Sequence, residues 1–346
     1  MNCMLDRRQF LKASMTAGAV LLAGQNILVS AFAQNRLTII ELDKLTITIV
    51  TDNYFDGVRP ESPIAKRFRP TAEKSIHAEH GLSYYVETVY GGQKSNFMFD
   101  YGVDAQGVLK NMELLGVNLE KVDGMGLSHG HWDHWGALEG ILKANRGNIP
   151  RGTPFYVGEE AFMERASIRP GSSQVTNLGK LDRGAIEALG GFRIVEVKEP
   201  VAVMKGGYFT GNVGRVTDYE KVPSNLLVKR GDKLEPDQFQ GEQALFFNVK
   251  GKGLVILVGC AHPGIVNIVK HVQKISGVQK VHAVVGGFHL VGVKPELIQK
   301  TITDIKNIAP DYVVPCHCTG YEAINLFQKE MPKQFVLNTA GAKYIF

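Results

Sequence analysis

Between residues 127 and 138 the chain reads LSHGHWDHWGAL, which puts His129, His131, Asp133 and His134 within one short stretch. Imidazole nitrogens and a carboxylate oxygen are the ligands that a borderline divalent metal such as zinc prefers. His129 and His131 are two apart, so on an extended segment both rings point the same way. Asp133 and His134 reach a second point nearby only if the chain turns there, and the apolar run 135–142 predicts a helix starting at that turn. A lone histidine is usually a satisfied core or surface group. H-x-H-x-D-H between a strand-like and a helix-like run instead predicts a segment that feeds two adjacent metal positions.

The 346 residues are 44% hydrophobic and 21% charged, an ordinary globular mix, and the length alone suggests about two domains. A formal net charge of +5 is small and not gathered into one run, so no nucleic-acid footprint is present. A local basic pocket for an anionic substrate stays open. Of the four cysteines, Cys3 lies near the N-terminus, and Cys260, Cys316 and Cys318 each sit one or two positions from a histidine. Three is odd, so these cannot form a complete disulfide framework.

Residues 1–33 read as a removable leader, to be kept apart from the fold. Asp6, Arg7, Arg8 and the following Phe10 and Leu11 resemble a twin-arginine export motif, with Asp6 in place of the usual Ser or Thr. An apolar region follows, interrupted by Gln25 and Asn26, too polar for a good membrane span. Ala31 and Ala33 fit a small-x-small cleavage site. The expected product is a periplasmic or secreted protein that engages the twin-arginine machinery once and keeps no stable membrane association. That route carries folded proteins, so a metal acquired in the cytoplasm can be locked in before export.

After the leader, strands are predicted over 45–50, 83–90 and 95–100, the last two joined by Gly91 and Gly92 as a hairpin. Residues 56–80 read as a long loop over a site, with Lys66, Arg67 and Arg69 either on a solvated face or meeting an anionic substrate, the solvated face being favoured, and His77 at the surface. Val108, Met112 and Leu115 have helical spacing, and 122–127 is a short apolar approach to His129. Beyond the metal loop the pattern predicts a strand at 154–157, a short helix at 159–165, a polar loop at 167–184, strands at 192–197 and 201–203, a loop at 210–215 and an exposed charged segment at 229–242. A hairpin is expected from 244–249 and 254–258. The order strand, polar residues, helix then repeats three times, through Cys260 and His262, through His289, and through His317. Strands ending in polar residues before helices place those residues on one rim of a sheet.

The H-x-H-x-D-H segment resembles the metal-binding signature of the metallo-β-lactamase superfamily. The stretches AEHGLS (78–83), GCAHPG (259–264), GGFHL (286–290) and PCHCTG (315–320) are similar to one branch of it, named after the dihydropterin-ribofuranosyl-aminobenzene-phosphate synthases. The resemblance spans about residues 45–346. It implies a single domain over 34–346, an α/β fold of the αβ/βα four-layer sandwich type, with two mixed β-sheets face to face and helices outside. Two sheets sharing one core accommodate such a length in one domain. It also implies that Asp100 supports the metal loop from beneath and that the three later rims coincide with it.

On that resemblance His262 and His317 join the ligands. One site is then His129, His131 and His262, the other Asp133, His134 and His317. The position of Cys260 is usually an aspartate bridging two metals; here it reads equally as a soft thiolate ligand, favouring Zn2+ over Mn2+ or Fe2+, and as a buried inert thiol. Side-chain alternation puts His262 on the face of Cys260 and turns Cys316 and Cys318 away from His317, toward packing or a disulfide. His289, after two glycines, is read on the substrate side as ligand or proton donor. Asp52, Asn53, His80 and Arg215 are candidate substrate contacts at the rim, and His271 and His282 are structural. Two divalent ions about 3.5–4 Å apart can activate a shared water that Asp133 orients. The leading expectation is therefore a metallohydrolase acting on a small anionic substrate such as a phosphoester. A pterin-dependent transferase and a non-catalytic periplasmic metal or ligand binder are the alternatives.

Overall fold

The computed structural model describes residues 37–169 and 171–346. The leader and its cleavage site lie outside these. Alternating apolar residues and tight turns make the N-terminal strands β1 (Glu41–Leu42), β2 (Lys44–Thr51), β3 (Ala65–Lys66), β4 (Ser83–Tyr90), β5 (Gln93–Tyr101), β6 (Gly124–Gly126) and β7 (Thr153–Gly158). They continue through β8 (Arg165–Ile168), β9 (Val175–Gly179), β10 (Phe192–Val197), β11 (Val201–Met204), β12 (Gly207–Phe209), β13 (Leu226–Arg230) and β14 (Lys233–Pro236). The last are β15 (Leu245–Val249), β16 (Gly253–Val258), β17 (Val281–Gly287), β18 (Tyr312–Cys316) and β19 (Lys343–Ile345).

Two large sheets result. One runs β10-β7-β6-β5-β4-β2-β19-β3, and the other β11-β12-β15-β16-β17-β18 with β1 also on β15. Both are mixed: β5, β6, β7 and β10 are parallel neighbours, as are β16, β17 and β18, while hairpin partners run antiparallel. Ile47, Ile49, Val86 and Phe97 of the first sheet share one buried cluster with Phe247, Val255, Leu257 and Val285 of the second. Full burial of each such side chain stabilises the fold by about 1.5–3 kcal/mol before entropy is counted. The helices Ala105–Leu115, Leu138–Ala144 and Arg183–Leu189 cover the far face of the first sheet, with Val108, Met112, Ile141 and Ile186 against Met98 and Met125. Helices Ile265–Ser276, Pro295–Ile308 and Tyr321–Glu330 bury apolar faces such as Val266, Val269, Ile302 and Phe327 on the side of the second sheet. This is the expected αβ/βα sandwich.

Four local expectations are corrected. The predicted helix over 135–142 is two pieces, Trp132–Trp135 and Leu138–Ala144. The region 159–165 is not helical: it turns and enters β8, because Arg165 is drawn inward to the buried carboxylate of Asp237. The polar stretch 167–184 carries β8, β9 and the start of a helix, and β8 and β9 join β13 and β14 in a small sheet of their own. Within 229–242, β14 is exposed as expected, but Asp237, Phe239 and Glu242 are buried.

Candidate metal centre

Parallel strands deliver the site. β6 ends two residues short of Ser128, and its exit carries His129 and His131; β16 leads to Cys260 and His262, β17 to His289, and β18 to His317. Carboxyl ends of adjacent parallel strands make a shared rim, and the two sheets bring their rims together here. The loops are strained in a consistent way: Asp100, Phe239, Ala261, His289 and His317 all have positive φ, between 46° and 58°. Each such residue costs on the order of 1–3 kcal/mol and persists where its surroundings over-determine it, a pattern that gathers at functional sites.

The donor atoms converge. One oxygen or nitrogen of each of Asp133, His134 and His317 and the Sγ of Cys260 lie within 4.8 Å of one another, and so do those of His129, Cys260 and His262. The His317 Nε2 is 3.2 Å from Asp133 Oδ2, and His134 Nε2 is 3.1 Å from Cys260 Sγ. His131 adjoins the second of these groups, its ring centroid 4.8 Å from that of His129 and 5.1 Å from that of His262. Cys260 and His262 face one centre although Ala261 between them is left-handed, so a turn and not strand alternation aligns them.

Three of the imidazoles are held from behind. Asp100 accepts from Ser128 N at 2.7 Å and from Ser128 Oγ at 2.8 Å, and lies 2.7 Å from His134 Nδ1. Ser128 Oγ is 2.9 Å from His129 Nδ1. Glu242 Oε2 accepts from His262 N at 3.0 Å and meets His262 Nδ1 at 2.8 Å. Oxygen at Nδ1 leaves Nε2 for the cradle, the arrangement by which carboxylates orient metal-binding histidines. The Nε2 atoms of His129 and His262 are buried with no hydrogen-bond partner. Orphaned buried nitrogens demand an explanation, and a cation supplies one.

Electrostatics agree with that fit at three of the five imidazoles. Burial, helped by neighbouring imidazoles, holds His129 and His262 well below the ordinary histidine range, and burial takes His131 down to about 3. These imidazoles are neutral near pH 7, as ligation requires. Burial raises the Asp133 carboxyl, but His134 and His317 outweigh it and keep it ionised. Burial would lower His134 too, yet Asp100 and Asp133 carry it up to about 9. Burial pushes Glu242 up to about 8. The residues present fit one or two divalent cations of the zinc type.

A profile of the metallo-β-lactamase superfamily matches residues 78–166, which include the H-x-H-x-D-H segment. A Methanocaldococcus jannaschii protein named 7,8-dihydropterin-6-methyl-4-(β-D-ribofuranosyl)-aminobenzene-5'-phosphate synthase is 36% identical over 267 residues, covering 76% of this chain and 89% of that protein. The chain belongs to the metallo-β-lactamase superfamily. A second, uncharacterised protein of the same organism is 26% identical over 254 residues, 73% of this chain and 89% of the other. Among solved structures, a metal-dependent hydrolase of the β-lactamase superfamily superposes with a TM-score of 0.66 at 25% identity, covering 86% of this chain and 98% of that one.

Within this metallo-β-lactamase fold the rim candidates divide. His80 stands at the mouth, its Nε2 3.7 Å from Asp133 Oδ2 and its ring stacked 5.0 Å from His317. Asp52 is buried and accepts from Asn338 Nδ2 at 2.8 Å, and Asn53 Nδ2 donates to the His317 carbonyl at 3.2 Å. Asn53 therefore braces the His317 turn. Arg215 donates to the Gln238 carbonyl at 2.6 Å. Arg67 is not on a solvated face: its guanidinium is buried and donates to Thr339 Oγ1 and the Leu337 carbonyl. His77, half-buried, meets Glu79. His271 and His282 bond to the Thr210 carbonyl and to Asp311, in helix and strand respectively.

Cys318 departs from the alternation argument. The segment is not extended, because β18 ends in a 3₁₀ turn at His317–Thr319, and Cys318 swings in toward Cys260 and His289. Cys260, Cys316 and Cys318 are all free, so no disulfide joins them. Reasoning from sequence also missed Glu242, Phe239 and Arg165. Phe239 stacks on His262 at 3.7 Å, and Arg165 lies over the Phe239 ring while bonding Asp237 at 2.8 Å. The only local signal was one acid two positions before the apolar run 244–249.

Proposed function

We propose that this protein is a metal-dependent hydrolase acting on a small anionic molecule, with phosphoesters the first class to try. The observation that carries the reading is the meeting of two donor groups at Cys260, with buried partnerless Nε2 atoms on His129 and His262. His129, His131 and His262 would hold one ion and Asp133, His134 and His317 the other, with Cys260 between. Divalent ions held there, zinc ahead of manganese or iron, would supply polarisation of a substrate oxygen and a water nucleophilic near neutral pH. Asp133, kept ionised between His134 and His317, orients a nucleophile by accepting its hydrogen bond. His80, exposed at the mouth beside Asp133, is placed to exchange a proton between substrate and solvent. Phe239 and the buried Arg165 behind it close the far wall against water.

A second reading, C–N bond formation, is favoured by the 36% identity to the pterin-linked synthase. That relative's name includes a 5'-phosphate, so both readings involve a phosphate-bearing molecule. The metal-loaded protein should be tested on chromogenic phosphomonoesters, phosphodiesters, lactones and β-lactams, and on an activated dihydropterin with a ribofuranosyl-aminobenzene phosphate. Hydrolysis of one panel member that ceases on chelation supports the first reading. Condensation without hydrolysis supports the second. Neither, with metal bound, leaves a periplasmic metal or ligand binder.

The site is further proposed to work outside the cytoplasm, after twin-arginine export and cleavage beyond Ala33. N-terminal sequencing of the exported protein should read from Gln34; a mature start at Met1 would count against it.

A further inference from the structure

A third group of donors adjoins the cradle and shares only Cys260 with the two groups above. The Sγ of Cys260, the Sγ of Cys318 and a ring nitrogen of His289 lie within 4.8 Å of one another. Both cysteines are buried and free, and His289 is half-buried. His289 Nδ1 is itself shielded from solvent and has no hydrogen-bond partner. The backbone is shaped to bring the group together. His289 and His317 take φ of 46° and 50°, and the turn after β18 folds Cys318 inward. Gly287 clears the space: a Cβ there would lie 2.7 Å from Cys318 Sγ, where something must shift. The thiols are packed inside the protein and do not simply face solvent.

Two sulfurs and an imidazole form a softer donor set than the histidines and aspartate beside them, and they select thiophilic ions such as zinc over magnesium or calcium. We propose that Cys260, Cys318 and His289 form a sulfur-rich cation site that shares Cys260 with the histidine–aspartate cradle. Loading it with a divalent ion displaces the thiol protons to solvent, and the sulfurs bind as thiolates. The site stands whether the neighbouring chemistry is hydrolysis or transfer. It gives His289 a ligand role distinct from the proton transfer assigned to His80.

The test uses the reduced, full-length protein loaded with zinc for X-ray absorption and with cobalt(II) for electronic spectra. Zinc-loaded protein is expected to show sulfur scatterers at about 2.3 Å, and the cobalt form a thiolate-to-metal charge-transfer band. In Cys318→Ser the band should fall to roughly half, since one of two thiolates is lost, and His289→Ala should weaken metal retention at the sulfur site under chelator challenge. Two or more bound ions with only nitrogen and oxygen scatterers would overturn this site and leave the proposed hydrolase intact. Band intensity and stoichiometry unchanged in both variants would overturn it as well, assigning the sulfur signal to Cys260 alone. Uptake of no metal at all would sink this site and the proposed function together. X-ray absorption reads the unmutated protein, so its outcome does not depend on a variant folding.

Discussion

Oxygen atoms behind three of the imidazoles decide which nitrogen those rings offer. Asp100 stands 2.7 Å from His134 Nδ1 and Glu242 2.8 Å from His262 Nδ1, so both rings turn Nε2 inward. Replacing Glu242 with Gln keeps the volume and removes the ionisable carboxyl. The expected result is metal affinity weaker by about 10–100-fold, measured by chelator competition, as for other carboxylates that orient a ligand histidine. Unchanged affinity would mean that Glu242 does not orient His262. His131→Ala should abolish bound metal and turnover together; retained stoichiometric metal by elemental analysis would remove His131 from the ligand set. The H-x-H-x-D-H residues were legible because their chemistry and spacing are local. Glu242 was not, because its partner lies twenty positions away and an isolated glutamate in a charged stretch looks solvated.

At the scale of elements, the small sheet β14-β13-β8-β9 is tied to the metal wall through the buried pair Arg165–Asp237, with side chains only 3% and 0% exposed. Removing one partner leaves an uncompensated buried charge, which costs about 3–5 kcal/mol. Arg165→Ala should therefore lower stability by about that much in denaturant unfolding of the metal-free protein, and a paired Arg165→Met, Asp237→Leu variant should recover much of it. A loss in Arg165→Ala below about 1 kcal/mol, the range of exposed pairs, would show that this link is not structural. The long regular elements were readable: β2, β4, β15, β16 and the three C-terminal helices follow their hydrophobic period. The short strands β8 and β9 were not, since β9 is largely exposed and polar and neither has an apolar repeat. Pairing of β8 with β13, and of β9 with β8, makes them strands.

For the whole molecule, metal and fold should be coupled. A cradle holding buried partnerless nitrogens is stabilised by an ion that the unfolded chain binds poorly. At an ion concentration a hundredfold above Kd the gain is about 2.7 kcal/mol. Chelation should lower the melting temperature, readdition of zinc should restore it, and the shift should vanish in His131→Ala. An identical melting temperature with and without metal would uncouple the two.

The residues determined by themselves the donor types, the alternation that makes two sheets and the helical faces that cover them, because each is written in neighbouring positions. Only the tertiary structure decided that the carboxyl ends of β6, β16, β17 and β18 meet at one point, that Cys318 turns inward at a left-handed His317, and that Glu242 and Arg165 stand behind the site. Those facts depend on contacts between distant segments and on backbone angles that neighbouring residues do not specify. Chain entropy opposes such contacts until the whole core forms.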